Sequence, residues 1–164
     1  MPKPGQPRFN HVALSVPADL LDERGRRDLV GFYSEVFGWQ EYPTETINRE
    51  RLVLGAYAID QFVFITADGD PMKAPRMDHF GLGVGSLDEL DTFYERAVDY
   101  RKRDDRVDIV DRQTEQHPGL SITNFYVGYL LPMMVEVQYF AFDTPGTQPE
   151  VNRRPDPGRP ARSP

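Results

Sequence analysis

The feature that most limits how this chain can fold is an internal repeat. Phe9-Asn10-His11-Val12-Ala13-Leu14-Ser15-Val16 reads in register with Met77-Asp78-His79-Phe80-Gly81-Leu82-Gly83-Val84, so His11 and His79 hold equivalent positions. Such a repeat sets the architecture before any single element is assigned. Each copy alternates with the period of a half-buried strand. Val12, Leu14 and Val16 share one face, and Phe80, Leu82 and Val84 share the matching one. The histidine side is otherwise small: Ala13 and Ser15 in one copy, Gly81 and Gly83 in the other. Small residues beside an imidazole leave the open floor that a ligand cavity needs.

A helix is expected after each strand. Leu29, Phe32, Tyr33, Val36 and Phe37 follow amphipathic helical spacing, and Leu90, Phe93, Tyr94, Ala97 and Val98 repeat it. The first helix should end at Gly38, a natural left-handed cap. The second should open at Ser86-Leu87-Asp88-Glu89, a capping-box pattern. The segment Pro17 to Arg27 is charged and reads as an exposed loop. Strand-like runs then follow at Gln40-Glu41-Tyr42, Arg51 to Ala58 and Gln61 to Thr66. In the second half they are Val107 to Asp111, Ile122 to Val127 and Met133 to Phe140. The chain therefore predicts an α+β fold of two tandem βαβββ modules, about 9–67 and 77–142, in one domain spanning 9–142. Asp68-Gly69-Asp70-Pro71 to Pro75 is the linker between them.

With 164 residues the chain has the length of about one domain. It contains no cysteine, which excludes disulfides, thiolate metal sites and cysteine nucleophiles. No apolar run reaches the length of a membrane span. The segment Met1 to Pro7 lacks the apolar stretch of a secretory signal, so a cytoplasmic location is expected. Most of the prolines fall in residues 1–7 and 143–164, and residues 1–8 and 143–164 read as disordered extensions. Arg153, Arg154, Arg159 and Arg162 make at most a weak contact patch in a solvated tail. Both ends are net basic while the whole chain carries −7, so the body is the more acidic part. It would repel a phosphate backbone, which argues against nucleic acid and for a small-molecule partner.

Glu136 lies within the apolar run Phe125 to Phe140. A carboxylate is expensive to bury there unless something positive pairs with it. On a strand, Val135 and Val137 take the opposite face and Met134 and Gln138 share its own. If the halves pair about a pseudo-twofold axis, His11 and His79 point into a space shared with Glu136. Two imidazoles and a carboxylate on adjacent strands form a three-ligand metal site with open positions for substrate. Imidazole and carboxylate suit Fe(II), Mn(II), Zn(II), Ni(II) or Co(II), and the donor set alone does not choose among them. A single strand histidine is more often structural, and a single strand glutamate more often faces solvent. The shared register favours the ligand reading, since independent structural histidines have no reason to coincide.

With these residues in hand, the chain resembles the vicinal oxygen chelate superfamily over about residues 8–142. Its members include glyoxalase I, methylmalonyl-CoA epimerase, extradiol catechol dioxygenases, and fosfomycin and bleomycin resistance proteins. The resemblance implies two βαβββ modules forming a curved mixed sheet around a central cavity that holds a metal. Pairing within or between chains completes that cavity; one chain here already carries both modules, and a homodimer through their edges is the secondary expectation. The family ligands fall on His11, His79 and Glu136. The repeat sets Phe64 opposite Glu136, where glyoxalase I carries a fourth ligand. Phenylalanine neither binds a metal nor moves a proton, which counts against glyoxalase I and epimerase chemistry.

Extradiol dioxygenases use two histidines and one glutamate. Their signature runs from a histidine to an apolar residue and tyrosine, then to the glutamate, a spacing that His117, Phe125, Tyr126 and Glu136 follow. The resemblance makes His117 and Tyr126 catalytic groups that hydrogen-bond substrate or bound oxygen. Two features depart from it. Tyr129-Leu130-Leu131-Pro132 replaces the family's Asp-Pro-x-Gly turn, and no histidine stands near Phe64 to assist catechol deprotonation. From the residues alone, His117 equally fits an exposed turn and Tyr126 a cavity wall.

The function expected is a metal-dependent enzyme acting on a small substrate with two neighbouring oxygens, most like an extradiol dioxygenase. One alternative is a glyoxalase-type lyase or isomerase. The other is a metal-free, bleomycin-resistance-like binding protein whose cleft is lined by Phe62, Phe64 and Met134.

Overall fold

A computed structural model describes residues 8–144, so of the two expected extensions only Arg8, Asp143 and Thr144 fall within the described residues. The elements run β1 (His11–Val16), a 3-10 turn (Ala18–Leu21), α1 (Glu23–Phe37), β2 (Gln40–Glu41), β3 (Arg51–Gly55) and β4 (Phe62–Ala67). The second half gives β5 (His79–Gly83), α2 (Leu87–Arg101), β6 (Asp108–His117), β7 (Leu120–Gly128) and β8 (Met134–Phe142). Each half is a βαβββ module, so the α+β class and the duplication hold. The strands form two four-stranded sheets, ordered β1-β4-β3-β2 and β5-β8-β7-β6, and not one hydrogen-bonded sheet. In each sheet the first strand runs parallel to the last, and the other pairings are antiparallel. The two strands that carry the repeated histidines, β1 and β5, are therefore sheet edges. Ala13 pairs with Phe64, and Gly81 pairs with Glu136, so the alignment of Phe64 with Glu136 extends to three dimensions.

The helix boundaries follow from capping. Asp22 caps α1 by accepting from the Gly25 amide at 2.8 Å, and Gly38 ends it in the left-handed region at φ 73°. Ser86 accepts from the Glu89 amide at 3.1 Å, while the Glu89 carboxylate accepts from the Gly85 amide. The segment Pro17 to Arg27 is not the exposed loop its charge suggested. Leu21 is buried in the 3-10 turn, and α1 already runs from Glu23. A Cβ at Gly25 would lie 2.1 Å from the Leu20 carbonyl oxygen, so only glycine lets the helix start so close to that turn.

β6 is also longer than its apolar residues indicated. It continues through Arg112-Gln113-Thr114-Glu115-Gln116 as an exposed edge, after an irregularity between Val110 and Gln113. There Asp111 accepts from the Tyr94 hydroxyl at 3.0 Å and Arg112 pairs with Asp91 at 2.7 Å, tying the bulge to α2.

The two modules meet on their helical side. Phe32 stacks on Tyr129 with ring centroids 4.4 Å apart, and the buried Tyr33 hydroxyl donates to the Tyr129 carbonyl at 3.1 Å. Burial pushes the Tyr33 phenol well above its ordinary range, so it stays a donor. Phe37 and Trp39 continue the contact to Phe93 and Phe80. Around this aromatic joint, Arg106 pairs with Asp104 and Asp28 and donates to the Tyr129 hydroxyl. Those Arg106 hydrogen bonds hold the Asp104 carboxyl well below the usual carboxylate range. Arg103, in the basic cluster after α2, pairs with Glu35 and lies over the Tyr100 ring. No helix among the described residues is long and apolar enough to cross a membrane.

Phe32 is fully buried at this joint. Phe32→Ala is expected to cost about 3–5 kcal/mol in urea unfolding. A loss under about 1 kcal/mol would show that the modules are held together elsewhere.

Candidate functional site

β5 and β8 bring two of the three expected ligands together. His79 Nε2 stands 3.2 Å from Glu136 Oε2, and Glu136 is only 4% exposed. His79 Nδ1 lies 2.8 Å from the Met77 carbonyl oxygen. A carbonyl can only accept, so Nδ1 carries a hydrogen, and Nε2 is the nitrogen that faces the carboxylate. A ring nitrogen and a carboxylate oxygen at this distance share a proton or a cation between them. Ligand atoms at right angles and about 2.1 Å from a metal stand about 3.0 Å apart, close to the spacing found. An imidazole whose other nitrogen is anchored on a carbonyl is the usual form of a metal-ligating histidine. Gly81 keeps the site open, since a Cβ there would lie 3.7 Å from Glu136 Oε2.

β7 supplies the other neighbours. Tyr126 pairs in register with Glu136 and sets its ring edge-on to His79, with centroids 5.0 Å apart. Burial, and next a hydrogen bond to Glu136, push the Tyr126 phenol up to about 12. Asn124, 5% exposed, donates through Nδ2 to Glu136 Oε1 at 2.7 Å and reaches the Tyr126 hydroxyl at 3.4 Å. Asn124 did not figure among the expected site residues. The available signal was its shared parity with Tyr126 and its polarity within Ile122-Thr123-Asn124-Phe125-Tyr126.

His11 is not at this point of the same chain. Its ring stacks on Phe62, with centroids 4.9 Å apart and planes 6° from parallel, and its Nδ1 is 2.8 Å from Asn10 Oδ1. It borders a cavity of about 560 Å³ between the β1 and β5 edges, which Val12, Trp39, Phe62, Phe80 and Val137 also line. Phe62 lines this cavity as well, away from Glu136. Phe64 lies instead under the Arg51 guanidinium, and Met134 is buried beside Gly128. Among the described residues, no three His, Asp or Glu side chains gather closely enough to hold a metal ion. One chain therefore presents two metal donors here and lacks the third.

His117 is also apart from the others. It ends β6 at the hairpin, pairs in register with Leu120 and lies 3.5 Å from Glu115. Six residues of β7 separate that point from Tyr126, about 20 Å at strand rise. The spacing shared with extradiol dioxygenases does not bring His117 and Tyr126 together.

No family model matches the sequence and no curated protein does. Solved structures do match in fold. A glyoxalase/bleomycin resistance protein from Albidiferax ferrireducens T118 is 13% identical with a TM-score of 0.55, over 80% of this chain and 98% of that one. Lactoylglutathione lyase from Agrobacterium tumefaciens is 15% identical with a TM-score of 0.54, over 80% and 92%. A mutant of the fosfomycin resistance protein FosX from Listeria monocytogenes, complexed with Mn(II) and 1S,2S-dihydroxypropylphosphonic acid, is 16% identical with a TM-score of 0.55, over 80% and 91%. The chain has the fold of the vicinal oxygen chelate superfamily.

Because the folded Tyr126 phenol lies above its free value, the stability it contributes is full below about pH 10. It is lost as pH rises through about 12. Glu136→Gln removes a nearby negative charge and should lower the Tyr126 transition seen by NMR of ring-labelled tyrosine. An unchanged transition would mean that burial alone sets it.

Proposed function

We propose that the protein is a metal-dependent enzyme of the vicinal oxygen chelate type, acting on a small substrate with two neighbouring oxygens. The observation that carries this is His79 Nε2 facing the buried Glu136 carboxylate across 3.2 Å, with Nδ1 of the same ring held on a backbone carbonyl. His79 and Glu136 would hold a divalent ion, Fe(II) or Mn(II) by preference, with His11 of the partner subunit as third ligand. When bound, the ion would supply Lewis acidity for negative charge developing on the two substrate oxygens. Tyr126 stays protonated at neutral pH and donates a hydrogen bond; it does not serve as a base. Gly81 leaves room for the substrate beside Glu136.

The case for a homodimer rests on the strand edges. His11 projects from the unpaired edge strand β1, and the neighbouring Phe9, Tyr57 and Ile59 are exposed. An unpaired edge flanked by apolar side chains invites pairing, and a twofold dimer would use the same surface on both copies. Among reaction types, ring-opening oxygenation of a catechol retains support from Tyr126 beside Glu136. The distance of His117 weakens it, and an isomerase or lyase needs only the residues already gathered. The apolar cavity beside His11 favours a second reading, a metal-free binding protein for an aromatic compound.

Mixing two inactive variants tests the shared site. His11→Ala and His79→Ala should each abolish stoichiometric Mn(II) binding. After joint unfolding and refolding, mixed dimers should regain one intact site of two. Binding that never returns would place all ligands within one chain or remove the metal reading. If native protein takes up no Mn(II) or Fe(II) but retains an aromatic ligand, the metal-free reading stands. Ring-cleavage absorbance from anaerobically Fe(II)-loaded protein given catechols and then air would identify the oxygenase version, and its absence would leave the isomerase or lyase version.

A further inference from the structure

We infer that the cavity between the β1 and β5 edges is a binding site for an uncharged, planar aromatic compound, separate from the cluster around Glu136. This gives the metal-free reading above a definite ligand class and does not rest on the metal reading. The cavity arises because the core face of the second module is left incomplete. Phe80 and Leu82 pair in register with Val135 and Val137 and so share their side of the sheet. Those two valines are fully buried, whereas Phe80 and Leu82 are only partly covered at the edge. Apolar surface held open in this way forgoes the gain of burial, and an occupant that covers it binds with that gain.

The walls select the shape of the occupant. Phe37 at the end of α1, Trp39 just after it, Phe80 on β5 and Phe93 on α2 set their rings around the space. Trp39 stacks on Phe37 at 5.3 Å and on Phe80 at 6.4 Å, and Phe37 meets Phe93 at 5.8 Å. The rings hold one another in place without a ligand, so little side-chain freedom is lost on binding. Such walls offer faces and edges to a flat, rigid guest. A volume of about 560 Å³ lies in the range of small-molecule sites.

Charge selects the class. Among the described residues, the lining side chains charged at neutral pH are Arg8 and Glu89, both at its margin and both engaged. Arg8 pairs with Asp60 at 3.3 Å, and Glu89 accepts from the Gly85 amide at 2.6 Å. An ionised ligand would lose water here and gain no counter-charge, which is costly. Gln61 adds a side-chain amide for one neutral polar substituent. The site is also distinct in place. Phe80 and Val137 line it, while their neighbours His79 and Glu136 project from the other face of the same strands.

The test uses the isotope-labelled full-length chain and two probes with one bicyclic frame, naphthamide and naphthoate. Trp39 is the only tryptophan, so its indole N–H gives a single resonance from within the cavity. Naphthamide should shift that resonance saturably and give intermolecular Overhauser contacts to Trp39, Phe80 and Phe93. Naphthoate, with its charge, should bind at least roughly tenfold more weakly. Leu82→Phe, which fills the space from β5, should weaken naphthamide binding, and Glu136→Gln should leave it unchanged. No saturable shift up to the solubility limit overturns the inference, as does naphthoate binding of equal strength. Overhauser contacts to His79 or Tyr126 in place of Trp39, lost in Glu136→Gln, assign the ligand to the other cluster and overturn it too. A Leu82→Phe variant that folds and binds as the native chain does also counts against the site; if it does not fold, the contacts on native protein decide. Mn(II) uptake, read separately, decides the metal reading whichever way this falls.

Discussion

The aromatic joint on the helical side determines how the rest of the molecule is presented. Phe32, Tyr33, Phe37 and Trp39 of the first module pack on Tyr129, Phe93 and Phe80 of the second. Each sheet can bury only one face against helices, and the joint uses that face. The opposite faces, with His11 on one and His79 and Glu136 on the other, are therefore left free. So are the β1 and β5 edges, which a joint through the strands would have consumed. A tyrosine hydroxyl bonded to a backbone carbonyl across the joint adds direction to an otherwise nonspecific apolar contact.

On the free face of the second module, electrostatics takes over from packing. Glu136 is a carboxyl group buried among apolar neighbours, a setting that ordinarily carries a cost. That cost is eased from three sides: Asn124 donates to one oxygen, His79 stands against the other, and Tyr126 supplies a hydroxyl. These contacts orient the carboxylate and stop short of saturating it. Glycine at position 81 leaves the remaining direction unobstructed.

Much of this was legible in the residues. The repeat gave the duplicated βαβββ order, and strand parity gave the side on which His79, Glu136 and Tyr126 lie. Leu21 shows where such reading fails, because a single apolar residue in a charged loop carries no period, yet tertiary packing draws it inside. β6 fails for the opposite reason: its outer half is polar on both faces, so backbone pairing alone defines it. His117 matched a spacing counted along the chain, but a hairpin of extended strands carries it away from the residues it seemed to accompany. His11 is the most instructive case. Equivalent positions in a repeat predict equivalent places on the backbone, and β1 and β5 are indeed matching edge strands, although the side chains around His11 and His79 differ. They do not specify which pair of modules, within or between chains, faces one another.

The repeat is symmetrical in backbone and unsymmetrical in chemistry, and the pair Phe64 and Glu136 marks the difference. They occupy matching places opposite Ala13 and Gly81. A phenyl ring at that place gives the first module nothing to titrate where the second has a carboxylate. The duplication therefore doubles the framework without doubling the polar chemistry, and a charge placed at one of the two matching positions stays with that module alone.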